Sequence, residues 1–226
     1  MQVLQVNARR ETGRKAQMQN ISAAKAVSDV VRTTLGPRSM LKMILDASGG
    51  IVITNDGNAI LREIDVTHPA AKSMIELARS QDEEVGDGTT SVIILAGEIL
   101  HLSIPFLEKD VHPTVIARAF SKALEKAVEI IDAKIAFPLD VENREELLKI
   151  VRSSVGTKFT ARLGDLVPNL ALDAVQTVKT VGPDGKSAEI DIKKFAKVEK
   201  IPGGAIEDST VLKGVMMNKD VCLPGR

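Results

Sequence analysis

The feature that most limits what this chain can fold into is an apolar stretch from Val92 to Leu107, broken by Glu98, His101 and Pro105. A bilayer span needs about 20 apolar residues, so the stretch reads as a buried core helix around which other elements pack. Gly97 inside it predicts a close-packed neighbour. Aromatic residues make up 2 % of the chain, with no Trp and no Tyr, so Ile, Val, Leu, Met and Ala must build the core. The same scarcity removes the stacking platforms that single-stranded nucleic acid uses. Thirty basic residues balance thirty acidic ones. That balance gives no electrostatic case for nucleic acid or an anionic membrane, and neither is expected as a partner. A lone Cys222 closes no internal disulfide. Met1 to Asn20 carries no apolar signal region, and the expected location is cytoplasmic.

Helical spacing at Ala23, Ala26, Val27, Val30 and Val31 predicts a helix over 23–34, capped by Ser22 and stopped by Gly36 and Pro37. Short β-type runs follow at 40–45 and 51–54, with a turn at 46–50 and a second tight turn at Asn55-Asp56-Gly57. Pro69 opens a helix to about Arg79, followed by an acidic loop from Ser80 to Gly88. Pro113 opens a long amphipathic helix to about Lys134, with an apolar stripe from Val115 to Ile131. Pro138 breaks it. Helices are expected over 142–153 and 161–178, with a loop at 154–158, and strand-like alternation marks 189–201 and 211–218. The composition changes between Pro138 and Val155, from a mostly helical domain to a mixed α/β one.

The strongest chemical signal is Gly86-Asp87-Gly88-Thr89-Thr90-Ser91, directly before the apolar helix. A helix start offers unpaired amides and the positive end of the dipole to an anion. Glycines let the backbone approach a phosphate, and the three hydroxyls can donate to its oxygens. Asp87 would repel phosphate unless a cation lay between them, as Mg²⁺ does when it binds one or two carboxylates plus phosphates. The same pattern is equally a capped turn. Leu35-Gly36-Pro37 alone is a common helix stop. Asp56 in a Asp-Gly turn is ordinary, yet beside a γ-phosphate it could orient or deprotonate a water. Lys158 reads as a solvated loop residue or as a point charge on a terminal phosphate. The run Asp82-Glu83-Glu84 lacks the alternating ligands of a calcium loop and reads as solvated. His68, His101 and His112 are not at zinc-ligand spacing and read as structural.

In combination, Leu35-Gly36-Pro37, Thr54-Asn55-Asp56-Gly57 and the segment from Gln81 to Val92 resemble the signature of the group II chaperonin family. His68 to Met74, Val198 to Gly204 and Asn218 to Val221 resemble the gamma-type subunits of the eukaryotic cytosolic ring complex. The resemblance runs from about Gly13 to Val221. It implies a multi-domain fold: the first half of a mostly α-helical equatorial domain over 1–141, an α/β intermediate segment over 142–202, and the start of an apical domain over 203–226. It implies ATP and Mg²⁺ as cofactors. Asp87 takes the place of the Mg²⁺ ligand, and Asp56 that of an acidic catalytic residue that positions the attacking water. Leu35, Gly36, Pro37, Gly57, Gly86, Gly88, Thr89, Thr90, Ser91, Gly156, Thr157 and Lys158 make up the nucleotide-contacting set, with Thr157 and Lys158 in its sensing loop. Implied partners are other chaperonin subunits in a hetero-oligomeric double ring and unfolded clients such as actin and tubulin.

Members of that family continue well beyond Arg226, and a downstream catalytic Asp and a glycine-rich loop lie in the continuation. These 226 residues alone are therefore expected not to complete an ATPase site, and the Val115 to Ile131 stripe is expected to drive association. Two other readings stand beside the folding machine. One is a non-catalytic interaction module that pairs with full-length subunits. The other is an unrelated Mg²⁺-dependent phosphotransferase, for which no acceptor-binding residues are evident.

Overall fold

The computed structural model describes residues 10–36, 38–46, 48–156, 162–182, 187–217, 219 and 222–223. The chain forms two compact units that divide between Ala136 and Phe137.

The first unit is mostly helical. Helix α1 spans Gly13–Arg32, strands β1 and β2 span Lys42–Leu45 and Ile51–Thr54, and α2 spans Gly57–Glu63. Helix α3 spans Pro69–Glu84, α4 spans Thr89–Glu108, and α5 spans Pro113–Ile130 before widening into one π-helical turn at Ile131–Ile135. Helix α1 starts ten residues before the expected 23, with Thr12 rather than Ser22 at its N-cap. Arg14, Lys15, Gln17, Met18 and Gln19 are good helix formers, so the helix runs through Ser22 without a break. The turn expected at Asn55-Asp56-Gly57 is instead a helix start, because the Asp56 carboxylate accepts the Ala59 amide at 3.0 Å and nucleates α2. The acidic loop expected from Ser80 begins only after Glu84. Arg79 and Glu83, four apart, bond at 2.9 Å across that added turn. Pro69 and Pro113 do open their helices, and His68 and His112 cap them by accepting the Ala70 and Thr114 amides on Nδ1.

Strands β1 and β2 pair antiparallel, Lys42 opposite Thr54 and Leu45 opposite Ile51. Asp46 closes the hairpin by accepting from the Ser48 hydroxyl and the Ser48 and Gly50 amides. The Ser48 hydroxyl and the Gly50 amide hold its carboxyl below the usual aspartate range.

The core is aliphatic. Ala24, Val27, Val31, Ile60, Leu61, Ala71, Met74, Ala78 and Ile93 form one buried cluster drawn from α1, α2, α3 and α4. Helix α4 is long and apolar enough to cross a membrane by length and composition, with mean hydropathy 1.7. Here it packs on α1, α3 and α2 through a buried line that includes Thr90, Ile93 and Gly97. Lys25 and Arg32 of α1 both pair with Glu98 of α4, which lets a carboxylate sit within the otherwise apolar helix. By contrast α5 has no buried residue, and Val115, Phe120 and Leu124 of its stripe stay exposed.

In the second unit α6 spans Arg144–Val155 and α7 spans Leu166–Val178. Arg144 bonds Asp173 and Asn169 at 2.7 and 2.9 Å, and Arg152 bonds Asp165 at 2.8 Å, fixing the pair. Strands β3, Thr180–Val181, and β4, Ala188–Glu189, form a two-residue ladder, and α8 covers Ile192–Phe195. The long strands expected over 189–201 and 211–218 do not form among the described residues. A strand is stabilised by cross-strand pairs, and Val198 and Val215 stand 89 % and 88 % exposed with no such partner.

Gly97 meets the expectation of a close neighbour: a Cβ there would lie 2.4 Å from Ser28 Cβ and 2.6 Å from its hydroxyl. The Ser28 hydroxyl is buried with no partner among the described residues. Gly97→Ala gains about 1 kcal/mol of helix propensity but must force α1 and α4 apart, at about 1–3 kcal/mol. A urea melt is expected to show net destabilisation for Gly97→Ala, whereas Ser28→Ala, which removes the unpartnered hydroxyl, is expected to be neutral or stabilising.

Candidate functional site

Two motifs far apart in the sequence meet at the N-terminus of α4. The Thr89 hydroxyl donates to Asp56 Oδ1 at 3.3 Å, and Thr90 Oγ1 accepts the Gly57 amide at 3.0 Å. A Cβ on Gly57 would lie 2.8 Å from Thr90 Oγ1 and 2.9 Å from Thr90 Cα and N. The first residue of α2 therefore touches the backbone of the second residue of α4, and only glycine permits it. Gly57, Thr89 and Thr90 are buried, while Asp56 is half-buried.

The approach to α4 is a short corner. Helix α3 ends where Val85 and Gly86 send their amides back to the Gln81 carbonyl at 3.0 and 3.2 Å. Gly86 and Gly88 both have φ of +76°, in the left-handed region that L side chains avoid. Between them Asp87 is exposed, and its Oδ1 accepts the Gly88 amide at 2.7 Å. Gly88 is the N-cap of α4 and has no side chain with which to cap the first-turn amides, and Val92 is the first residue to bond back, to the Gly88 carbonyl at 3.0 Å.

The other expected residues are placed as follows. Leu35 and Gly36 are exposed in the loop after α1, where Gly36 has φ of +98° and its carbonyl accepts the Ser39 amide at 3.0 Å. Ser91 is exposed on the first turn of α4. Gly156 caps the C-terminus of α6 in the second unit, so 154–155 are helix rather than loop. Pro37, Thr157 and Lys158 lie outside the described residues.

The arrangement suits a metal-bound polyphosphate. Two carboxylates, Asp56 and Asp87, flank a helix start whose amides no side chain caps. Hard oxygen donors are what Mg²⁺ prefers, and it takes one or two carboxylates together with phosphate oxygens. Among the described residues no three His, Cys, Asp or Glu side chains group to hold a metal by themselves, so a cation here would share its ligands with a bound anion. The Thr89 and Thr90 hydroxyls already engage Asp56 and Gly57, which leaves Ser91 as the exposed hydroxyl of the three.

Three residues of this neighbourhood were given no role in the site from sequence. The Gln81 side chain donates to the Asp87 carbonyl at 2.9 Å, and Asn58 Nδ2 donates to Asp82 Oδ2 at 2.7 Å. Asp82, read as a solvated loop residue, lies on α3 and ties it to α2. The signal that could have found it was the Arg79–Glu83 spacing, which extends α3 past Ser80.

Comparison with known proteins places this geometry in a family. The profile of the TCP-1/cpn60 chaperonin family matches residues 27–225. T-complex protein 1 subunit gamma of Arabidopsis thaliana is 62 % identical over 224 residues, which is 99 % of this chain and 40 % of that protein. The Oxytricha granulifera protein of the same name is 64 % identical over 223 residues, 99 % of this chain and 39 % of its own. The Bos taurus one is 60 % identical over 222 residues, 98 % and 40 %. The chain thus spans about two-fifths of the length of the curated relatives it matches. It belongs to the TCP-1/cpn60 chaperonin family.

Proposed function

We propose that this chain carries the ATP-binding part of a cytosolic chaperonin subunit of the gamma type, a machine that uses ATP hydrolysis to fold other proteins. The observation that carries the reading is the junction of Asp56-Gly57 with Thr89-Thr90, which brings an acidic residue to the start of a helix preceded by Gly86-Asp87-Gly88. Family membership supports the chaperonin role, and the gamma-type relatives support a place in a hetero-oligomeric ring. Within that reading 1–141 belongs to an equatorial domain, 142–202 to an intermediate segment and 203–226 to the start of an apical domain. Unfolded proteins such as actin and tubulin are the clients.

When bound, Mg-ATP supplies the scissile phosphoryl bond and the cation that neutralises its charge. Asp87 would hold the cation. The first-turn amides of α4 and the Ser91 hydroxyl bind phosphate oxygens. Asp56, fixed by the Ala59 amide and the Thr89 hydroxyl, orients a water and accepts its proton on a carboxylate oxygen. Gly36 adds a backbone contact to the nucleotide. Gamma-phosphate binding then biases the intermediate segment toward lid closure.

The exposed apolar residues of α5, with Met43, Leu45, Ile51 and Ile53 of the hairpin, also support a role in assembly. Native mass spectrometry with full-length partner subunits separates a catalytic from a purely associative part. Ring incorporation without Mg-ATP binding would favour the latter.

Calorimetry on the chain is expected to show Mg²⁺-dependent ATP binding, weakened about 10- to 100-fold by Asp87→Ala. Binding unaffected by that change would overturn the reading. In the assembled ring, Asp56→Asn is expected to slow single-turnover hydrolysis by about 100-fold or more while ATP affinity holds. Gly57→Ala pushes α2 off the α4 backbone, and a misplacement of about 1 Å is expected to cost about 100-fold in the same assay.

A further inference from the structure

The last full turn of α3 reaches both halves of the site. Gln81 donates from Nε2 to the Asp87 carbonyl at 2.9 Å, while its own carbonyl accepts the Val85 and Gly86 amides. Asp82, the next residue, accepts Asn58 Nδ2 on Oδ2 at 2.7 Å, with Arg62 Nη2 3.6 Å from the same oxygen. Asn58 follows Gly57 directly on α2, two residues after Asp56. Successive helix residues point about 100° apart, so neighbours at 81 and 82 can address different segments. One holds the corner that carries Asp87, and the other holds the helix start that carries Asp56.

Asn58 is 3 % exposed, and its Oδ1 has no partner among the described residues. An ionised carboxylate only accepts, so the amide must turn its nitrogen to Asp82. Turning it over to satisfy Oδ1 would lose the 2.7 Å bond. A buried acceptor left unpaired is destabilising, and an apolar side chain would fill the same place without that cost. The position is thus explained by the link to Asp82 and not by packing.

We infer that Gln81 and Asp82 are positioning residues, which together set the separation and orientation of the Asp87 corner and the Asp56 helix start. The inference rests on the nucleotide reading for its chemistry, and its geometry can be tested apart from it. Gln81→Met keeps the length of the side chain and removes the donor, whereas Gln81→Lys restores an N–H donor at similar reach. Asp82→Ala removes the acceptor, and Asp82→Asn keeps one. Amide hydrogen exchange on the chain without nucleotide is the first readout, and calorimetry with ATP in Mg²⁺ or in EDTA is the second. Gln81→Met is expected to raise exchange at 86–88, and Asp82→Ala at 57–59, each by about three- to tenfold. Both are expected to weaken ATP binding in Mg²⁺ by a similar factor and to leave Mg²⁺-free binding unchanged, with the Lys and Asn variants recovering most of the loss. Unchanged exchange, or equal weakening with and without Mg²⁺, overturns the inference. A parent chain that binds no Mg-ATP overturns the nucleotide reading instead, and the exchange comparison then still decides whether Gln81 and Asp82 hold the two segments.

Discussion

The contact between the Gly57 amide and the Thr90 hydroxyl is the constraint on which the rest of the first unit turns. It requires a residue without a side chain at the head of α2 and a hydroxyl in the first turn of α4, and it leaves no room for a spacer. Once made, it fixes where α2 begins, and Ile60 and Leu61 then enter the core at 0 % and 1 % exposure. Full burial of each such side chain stabilises by about 1.5–3 kcal/mol. The polar contact is thus held by apolar burial one helical turn away, and the geometry of the candidate site and the core packing share one backbone.

Helix α4 serves that arrangement from its middle. Gly97 lets it lie against Ser28 of α1, and Glu98 ties it to Lys25 and Arg32. Its N-terminal half is therefore anchored by two different neighbours, α2 at Thr90 and α1 at Gly97. A rigid element is the right platform for charged groups that must stay in register with a ligand.

Much of this was legible in the residues, where the signal was local. Pro69 and Pro113 marked helix starts, Gly97 marked a close approach, and Ile51 to Thr54 was a strand at its observed bounds. The residue types of the candidate site, Asp56, Asp87 and their glycines, were legible as well. Their convergence came only through the family resemblance and not from the residues themselves, because Gly57 and Thr90 are 33 residues apart and nothing in either motif announces the other. The same limit explains the misread strands of the second unit, since alternation at 189–201 cannot say whether a partner strand exists. Ser22 and Asp82 misled for a different reason. Each has a local preference for caps or loops, which the helices on either side override.

The corner between α3 and α4 has a consequence in stereochemistry. Gly86 and Gly88 hold backbone angles of the opposite hand to every L-residue around them, with a carboxylate between. A ribosomally made chain has one achiral residue to offer at such places. A D-alanine, placed there by chemical synthesis, has the matching hand and would pre-set the corner, whereas its mirror twin would strain it. The alphabet at these two positions is short, glycine first and then asparagine or aspartate, as Asp110 shows with its φ of +62°, while Val85 beside them is 67 % exposed and under no such constraint of hand. The aspartate is thus displayed by a part of the chain whose handedness leaves sequence drift little room.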